Sequence, residues 1–386
     1  MTPPLPFPGL TPEHEMLRDA LRRFIAERVL PHAPAWEDAG FVPREILREM
    51  GELGFLGIRY PEAYGGSALD TTATVVLAEE LGRSGFGGFA ITVLVHTDMA
   101  SPHLHHAGTP EQKARYMPDL VAGRRIAAVA MTEAGAGSDL AGMRTRARRD
   151  VDGSWVLNGT KMFITNGVHG DLYFVAAKTG AGSGRHREIS MFIVEKGTPG
   201  FRVARPLAKQ GWLSSDTAEL VLEDCRLPPD ALLGDEHRGF YALMKNLSNE
   251  RIVLAAQCMG EAARAIELAV EWTRQREAFG QPLWSNAAIR QRLAWRATEV
   301  EALRAFVYNV AWRDARGEAV VKEVSMLKAL AGTLVNEVMY DCLQFHGGMG
   351  YMRESAIERM ARDARVQAIG GGATEVMLEE VAKRMG

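Results

Sequence analysis

Apolar positions along this chain change period twice. Near the start, Thr11-Pro12-Glu13 opens a helix, with Thr11 as N-cap and Pro12 at the first helical position. Leu17, Leu21, Phe24 and Ile25 then recur at helical spacing until Pro31 and Pro34 stop the run. Helical patterns return at 43–53, 71–82, 89–107 and 110–122, with Gly-rich breaks at 65–66 and 85–88. The first third therefore reads as all-helical.

The period shortens near residue 126. Six apolar runs follow: Ile126–Met131, Trp155–Asn158, Leu172–Ala177, Ser190–Val194, Phe201–Ala204 and Ala218–Leu222. Turn signals at Asn158-Gly159, Asn166-Gly167 and Pro199-Gly200 separate them. Short strands without intervening helices predict a small barrel or sandwich. Arg144–Arg149 alternates with small residues as one solvated strand face, with contact to a phosphate as the second reading. The polar, Gly-rich stretch 179–188 predicts a mobile loop.

From about Gly239 the helical period returns. Leu243, Leu247, Leu254, Met259, Ala263, Ile266 and Val270 mark one long apolar stripe. Residues 286–316 and 318–345 give two more long helices around Gly317, and 373–384 a fourth. The expected fold class is α+β: an N-terminal helical domain over 1–125, a β domain over 126–236 and a C-terminal four-helix bundle over 237–386.

Length and composition narrow the function. A chain of 386 residues exceeds one ordinary core, and 47% apolar with 24% charged residues is the profile of a globular protein, not of a disordered chain or a small disulfide scaffold. A net charge of −3 supplies no field for nucleic acid or an anionic membrane. No apolar stretch approaches the roughly 18–20 residues of a membrane span. The start MTPPLPFPGL lacks the basic and apolar regions of a signal peptide. Cys225, Cys258 and Cys342 are far apart, so a reduced, cytoplasmic setting is expected.

Several segments invite chemistry. Gly85-Phe86-Gly87-Gly88-Phe89-Ala90 imitates a dinucleotide fingerprint but follows a helical pattern, so the required strand is missing. His103, His105 and His106 have no other ligand type at metal spacing and are expected at the surface or as caps. Thr132-Glu133-Ala134-Gly135-Ala136-Gly137-Ser138-Asp139 follows a β-run and offers backbone N–H groups that suit a flat polar ring or a phosphate; a plain loop is the alternative. Gln344-Phe345-His346-Gly347-Gly348-Met349-Gly350 ends a long helix as a C-cap or as an approach to a pyrophosphate. Gly370-Gly371-Gly372 leaves the N-terminus of the last helix free for an anion. Glu250 sits among Leu247, Ile252, Val253 and Leu254; on spacing alone it is equally a base of raised pKa or a structural pair with Arg251 or a distant cation.

Two long patterns resemble signatures of the acyl-CoA dehydrogenase family: Ala130 to Gly142, AMTEAGAGSDLAG, and Gln344 to Asp363, QFHGGMGYMRESAIERMARD. The likeness runs along nearly the whole chain. With LLGDEHRGFYALMKNLSNERIVLA, VH-TD at 95–98 and YDCLQFHGGMGYM, it is most like the long-chain subfamily. The resemblance implies FAD, an acyl-CoA substrate oxidised to the trans-2-enoyl-CoA, and an electron-transfer flavoprotein as acceptor. A carboxylate takes the α-proton while the β-hydride leaves for flavin N5, and a ribityl hydroxyl with one backbone N–H polarises the thioester.

Many members place the base in an E-G-T motif before the last helix, where this chain has Gly371. The long-chain and isovaleryl subfamilies place it in an E-R pair on the first bundle helix, matched here by Glu250-Arg251, which leaves Gly371 its backbone N–H. By the same resemblance, Val129, Met131, Thr132, Gly137, Ser138, Phe163 and Thr165 contact the flavin, with Thr374 and Glu375 on its side of the last helix. Arg276, Phe279, Gln344, Gly347 and Gly348 hold the FAD of a neighbouring subunit, which implies a homo-oligomer, a tetramer built as a dimer of dimers. Ser138, Tyr241, Ser248, Asn249, Arg251, Gly371 and Gly372 line the acyl-CoA side. The chain departs from the family at Ala287, where Gln is usual, at Ala373, usually Thr, and at Ala134, usually Pro. An oxygen-using monooxygenase or nitroalkane oxidase-like enzyme on this fold, and a silent CoA-binding homologue, are the alternatives. Medium, long and branched acyl chains all remain open.

Overall fold

Thr11 and Pro12 do open the first helix: the Thr11 amide donates to His14 Nδ1 at 3.1 Å, and Pro12 begins the helix. The computed structural model describes Phe7, residues 9–180 and residues 188–385. Of the loop expected at 179–188, residues 181–187 lie outside the described residues. The N-terminal region holds α1 (Pro12–Phe24), α2 (Ala33–Ala39), α3 (Arg44–Glu52), α4 (Thr71–Arg83), α5 (Gly87–Leu94), α6 (Ser101–Ala107) and α7 (Pro110–Val121). The pattern at 89–107 is not one uniform helix: a π-helical turn, Val95–Ala100, separates α5 from α6. Such turns shift the register of a helix face and are frequent at functional sites.

The middle region holds β1 (Ala127–Ala130), β2 (Arg146–Arg149), β3 (Trp155–Thr165), β4 (Leu172–Lys178), β5 (Ile189–Glu195), β6 (Phe201–Pro206), β7 (Thr217–Leu227) and β8 (Leu232–Leu233). They form one 8-stranded sheet in the order β6-β7-β3-β2-β4-β5-β8, with β1 parallel to β4. β8 joins the six expected runs, and β2 is the solvated strand face expected within Arg144–Arg149, with only Ala147 buried. Asn158-Gly159 is not a turn but a register shift inside β3, held in the sheet because β2 pairs on one side and β7 on the other. β4 is apolar at nearly every position because both faces are covered. Leu172, Phe174 and Ala176 meet Tyr116, Met117 and Leu120 of α7, whereas Tyr173, Val175 and Ala177 join the core with Leu157 and Leu220.

The C-terminal region holds α8 (Gly239–Gln275), the hairpin β9 (Glu277–Ala278) and β10 (Gln281–Pro282), α9 (Ala287–Ala315), α10 (Val321–His346), α11 (Ala356–Ala364) and α12 (Thr374–Ala382). These helices share one hydrophobic core with the N-terminal helices. α4 and α8 cross with glycines at the contact: a Cβ on Gly82 would lie 2.3 Å from the Gln257 carbonyl, and one on Gly260 2.1 Å from that of Glu79. A buried ionic cluster ties α1, α4 and α9. Arg18 Nη1 meets Glu79 at 2.9 Å and Glu80 at 2.8 Å, Arg304 also pairs with Glu79, and the Tyr308 hydroxyl donates to Glu79 at 2.5 Å.

Candidate functional site

α8 is long enough to carry polar side chains on several faces, and its Glu250 points into protein. The residue is 5% exposed. Its Oε1 accepts from the Asn246 amide, one helical turn earlier, at 3.0 Å. Its Oε2 accepts no hydrogen bond among the described residues. Burial, above all, pushes its carboxyl up to about 7; the Asn246 amide and Arg251 pull the other way, and Asp98 adds to the rise.

Polar groups from three other segments surround this carboxylate. Asp98, in the π-helical turn, is buried, and burial raises its carboxyl above the usual range. It receives Asn249 Nδ2 at 3.2 Å, the Thr97 hydroxyl at 2.7 Å and, at 3.5 Å, the Arg59 guanidinium. Asn246 and Asn249 also donate to the Asp98 carbonyl, at 2.8 and 3.0 Å. Of the histidine cluster, His105 and His106 are half-buried in the last turn of α6, but His103 is not at the surface. His103 is 2% exposed, its Nε2 lies 3.9 Å from Glu250 Oε1, and neither ring nitrogen has a hydrogen-bond partner among the described residues. Burial holds it neutral, down to about 4. Among the described residues there is no His/Cys/Asp/Glu group suited to a metal ion, and the three cysteines are buried and free.

On the α12 side lies the glycine run. Gly371 has φ +66°, and a Cβ there would meet Leu254 Cδ1 at 2.2 Å. Leu254 is one turn beyond Glu250 on α8, so the bare position at 371 and the carboxylate at 250 belong to one packing arrangement. The amides of Gly371 and Gly372 have no acceptor among the described residues. Ala373 is the N-cap of α12 and brings no side-chain cap, while the Thr374 hydroxyl donates to the Ala368 carbonyl at 3.4 Å. Glu375 is exposed in the first turn of α12.

A second surface lies at the ends of β1 and β3. Buried Lys161 donates to the Met131 carbonyl at 3.0 Å and to Glu133 at 2.9 Å. Glu133 also accepts from the Thr145 amide at 2.9 Å and the Arg144 amide at 2.6 Å. This knot fixes the segment after β1, and the Met162 amide reaches the Thr132 carbonyl at 2.9 Å. Val129 and Met131 are half-buried, and Gly137 and Ser138 lie exposed in the loop. Positions for a Cβ on Gly135 and Gly137 meet nothing within 4 Å. At the register shift between Lys161 and Ile164, Phe163 takes φ +63° and turns its ring outward, 66% exposed. Thr165 ends the strand opposite Thr217. An outward aromatic ring beside a glycine-rich loop of free amides suits a planar heteroaromatic with phosphates, so these residues fit a flavin.

The remaining expected residues form a third, separate surface. Arg276, Gln344, Gly347 and Gly348 line a groove of about 800 Å³ floored by Trp272, whose ring stacks on His346 at 5.3 Å. Phe279, at φ +53° in the β9–β10 hairpin, projects fully into solvent. No hydrogen bond among the described residues joins this groove to the Thr132–Thr165 surface. Tyr241 and Ser248 lie towards the N-terminal part of α8, exposed and half-buried, while the Asn249 side chain is spent on Asp98. Arg251 is partly buried, its Nε without a partner, 3.6 Å from where a Gly372 Cβ would stand. Ala287 begins α9, and Ala134 is exposed in its loop.

Sequence reasoning gave no role to Asp98 and Asn246, although both lie in segments that resemble the family, and none to Lys161. Asp98 and Asn246 are 148 residues apart, and no local pattern signals such a pair.

Comparison with known proteins identifies the family and the fold. Models of the acyl-CoA dehydrogenase N-terminal, middle and C-terminal domains match residues 11–124, 128–225 and 237–386. The mouse mitochondrial long-chain specific acyl-CoA dehydrogenase is 41% identical over 375 residues, covering 97% of this chain and 86% of that protein. The crystal structure of an acyl-CoA dehydrogenase from Geobacillus kaustophilus superposes with a TM-score of 0.94 at 41% identity, covering 97% of this chain and 98% of that one. A glutaryl-CoA dehydrogenase from Mycobacterium smegmatis, solved in complex with FADH2, gives 0.91 at 29% identity, covering 98% and 95%. This chain belongs to the acyl-CoA dehydrogenase family, as an oxidoreductase whose cofactor is FAD.

Proposed function

We propose that this enzyme oxidises acyl-CoA thioesters to trans-2-enoyl-CoAs with Glu250 as the α-proton base. The observation that supports this most is the Glu250 carboxyl itself: buried, raised to about 7, with Oε1 held by Asn246 and Oε2 left without a partner. A base poised near the working pH takes a carbon-bound proton more readily than an ordinary carboxylate does. His103 faces the occupied oxygen as a neutral ring and adds no charge that would hold the base ionised and weak. The Gly371 and Gly372 amides, without an acceptor among the described residues, are the proposed donors to the negative charge that develops on the thioester oxygen. Arg251, Tyr241 and Ser248 approach the CoA arm. Thr132, Ser138, Phe163 and Thr165, with Val129, Met131 and Gly137 beside them, would hold the flavin ring system, which when bound would supply the hydride acceptor.

The groove of Arg276, Gln344, Gly347 and Gly348 lies apart from the Thr132–Thr165 surface, with Phe279 projecting into solvent. In this reading it receives the FAD of a second copy, so the active form is a homo-oligomer, a dimer of dimers. Electrons then pass to an electron-transfer flavoprotein. Medium, long and branched acyl groups are the substrate range, since its relatives include a long-chain specific and an isovaleryl-CoA dehydrogenase.

Anaerobic mixing of the FAD-loaded enzyme with a panel of acyl-CoAs tests the reading through bleaching of the oxidised flavin. Bleaching is expected, with a rank order of chain lengths. Glu250→Gln is expected to keep FAD and bind acyl-CoA while losing nearly all bleaching. Substantial residual rate would remove Glu250 from the mechanism. Oxygen consumption without bleaching by any thioester would overturn the dehydrogenase reading.

A further inference from the structure

Lys328 lies in the middle of α10, 1% exposed. Among the described residues no carboxylate pairs with it. Its ammonium instead donates to the carbonyl of Gln367 at 2.5 Å and to that of Gly372 at 3.2 Å. Both carbonyls belong to the segment that carries Gly371, and Lys328 Cε lies 3.6 Å from where a Gly371 Cβ would stand. Four residues on, Gly332 lets this segment approach α10: a Cβ there would lie 2.7 Å from the Gln367 oxygen. From the other side, the Gln367 amide reaches the buried Glu261 carboxyl at 3.4 Å, and Gln257 meets the same oxygen at 2.8 Å. The carbonyls of the glycine segment thus face inward to a fixed cation, and its free amides remain available to a ligand.

Burial lowers the Lys328 pKa and disfavours the charge, but an apolar side chain here would leave the Gln367 and Gly372 carbonyls without this donor, so Lys328 is what fixes the glycine segment against α10. We propose that Lys328 is a positioning residue for the reaction, holding the Gly371 N–H on the thioester carbonyl and adding positive potential behind it. The assignment rests on the functional reading above. A donor fixed before reaction stabilises developing enolate charge without reorganisation.

Lys328→Met and Lys328→Gln, made in the full-length FAD-loaded enzyme, provide the test. Three quantities are read: FAD content, the rate of anaerobic bleaching by the best acyl-CoA, and the apparent pKa of the α-proton of a bound, non-oxidisable 3-thia-acyl-CoA, followed in the flavin spectrum. For Lys328→Met, unchanged FAD content, bleaching slowed about 100-fold, and an α-proton pKa raised by about 2 units are expected, the usual loss for one oxyanion donor. Lys328→Gln, which keeps one donor, should fall between Met and wild type. Wild-type bleaching and an unshifted analogue pKa in Lys328→Met overturn the assignment; if that variant does not fold, the same result in Lys328→Gln does so. Wild-type enzyme that neither bleaches nor ionises the analogue defeats the dehydrogenase reading, and this assignment with it.

Discussion

Glu250 and Gly371 show how two residues share one volume. In many relatives of this family the base stands where Gly371 is, yet here a side chain at 371 collides with Leu254 and must adopt φ +66°. For a non-glycine residue that conformation costs roughly 1–2 kcal/mol before any displacement of Leu254. Gly371→Glu in the Glu250→Gln background is therefore expected to stay silent and to unfold at lower temperature, read by bleaching assay and thermal melt. Turnover well above that of Glu250→Gln alone would show that the pocket yields. The pH profile follows from the raised carboxyl. Only the ionised form accepts a proton, so the bleaching rate should rise with pH and level off above about 7. Below that it should fall about tenfold per unit. Asn246 lowers this pKa by donating to Oε1, so Asn246→Leu should move the rising limb to higher pH. A limb unmoved in that variant would mean another group titrates.

At the scale of elements, the carboxylate of Glu79 binds three helices through Arg18, Arg304 and Tyr308. Removing one partner of a buried ion pair costs roughly 3–5 kcal/mol because it strands the other charge. Glu79→Gln should lower stability by that order in denaturant titration while leaving the flavin spectrum of the folded enzyme intact. A neutral effect would show that Glu80 and Glu301 compensate. The β3 strand teaches a related lesson. Asn158-Gly159 has the composition of a hairpin turn, yet hydrogen bonds from β2 and β7 hold it in the sheet. Further along, a second register shift turns Phe163 out. Local chemistry proposes a turn; pairing on both sides decides for a bulge.

For the whole molecule, the first and last thirds are not independent bodies, because α4 and α8 cross at Gly82 and Gly260 and share one core. Glu250 on α8, the proposed base, is buried by His103 of α6 and Asp98 of the π-helical turn, so in that reading acid–base chemistry needs both regions assembled. The Arg276 groove looks the other way. Phe279 is fully exposed in one chain, so Phe279→Ala should leave the stability of that chain nearly unchanged. In the proposed assembly it should weaken subunit association and FAD retention together, measured by sedimentation and by flavin content. Loss of neither would place the groove outside the cofactor site.

The sequence by itself determined the α–β–α order, the glycine-rich loop after β1, the E-R pair on the first bundle helix and the glycine run that ends before α12. These are contiguous patterns: helix and strand periods, runs of small residues, and signatures in which each residue's neighbours are also its partners. The tertiary structure decided what Glu250 is. On spacing alone it was equally a salt-bridge partner, and only the arrival of Asp98, His103 and Asn246 around it gives a desolvated carboxyl with one free oxygen. It also decided that Lys161 and Lys328 serve the loops on either side. Lys161 meets Glu133 across 28 residues, and Lys328 meets Gln367 across 39. Chain periodicity encodes which face of an element is buried, whereas the pKa and aim of a buried polar group depend on what other segments bring against it.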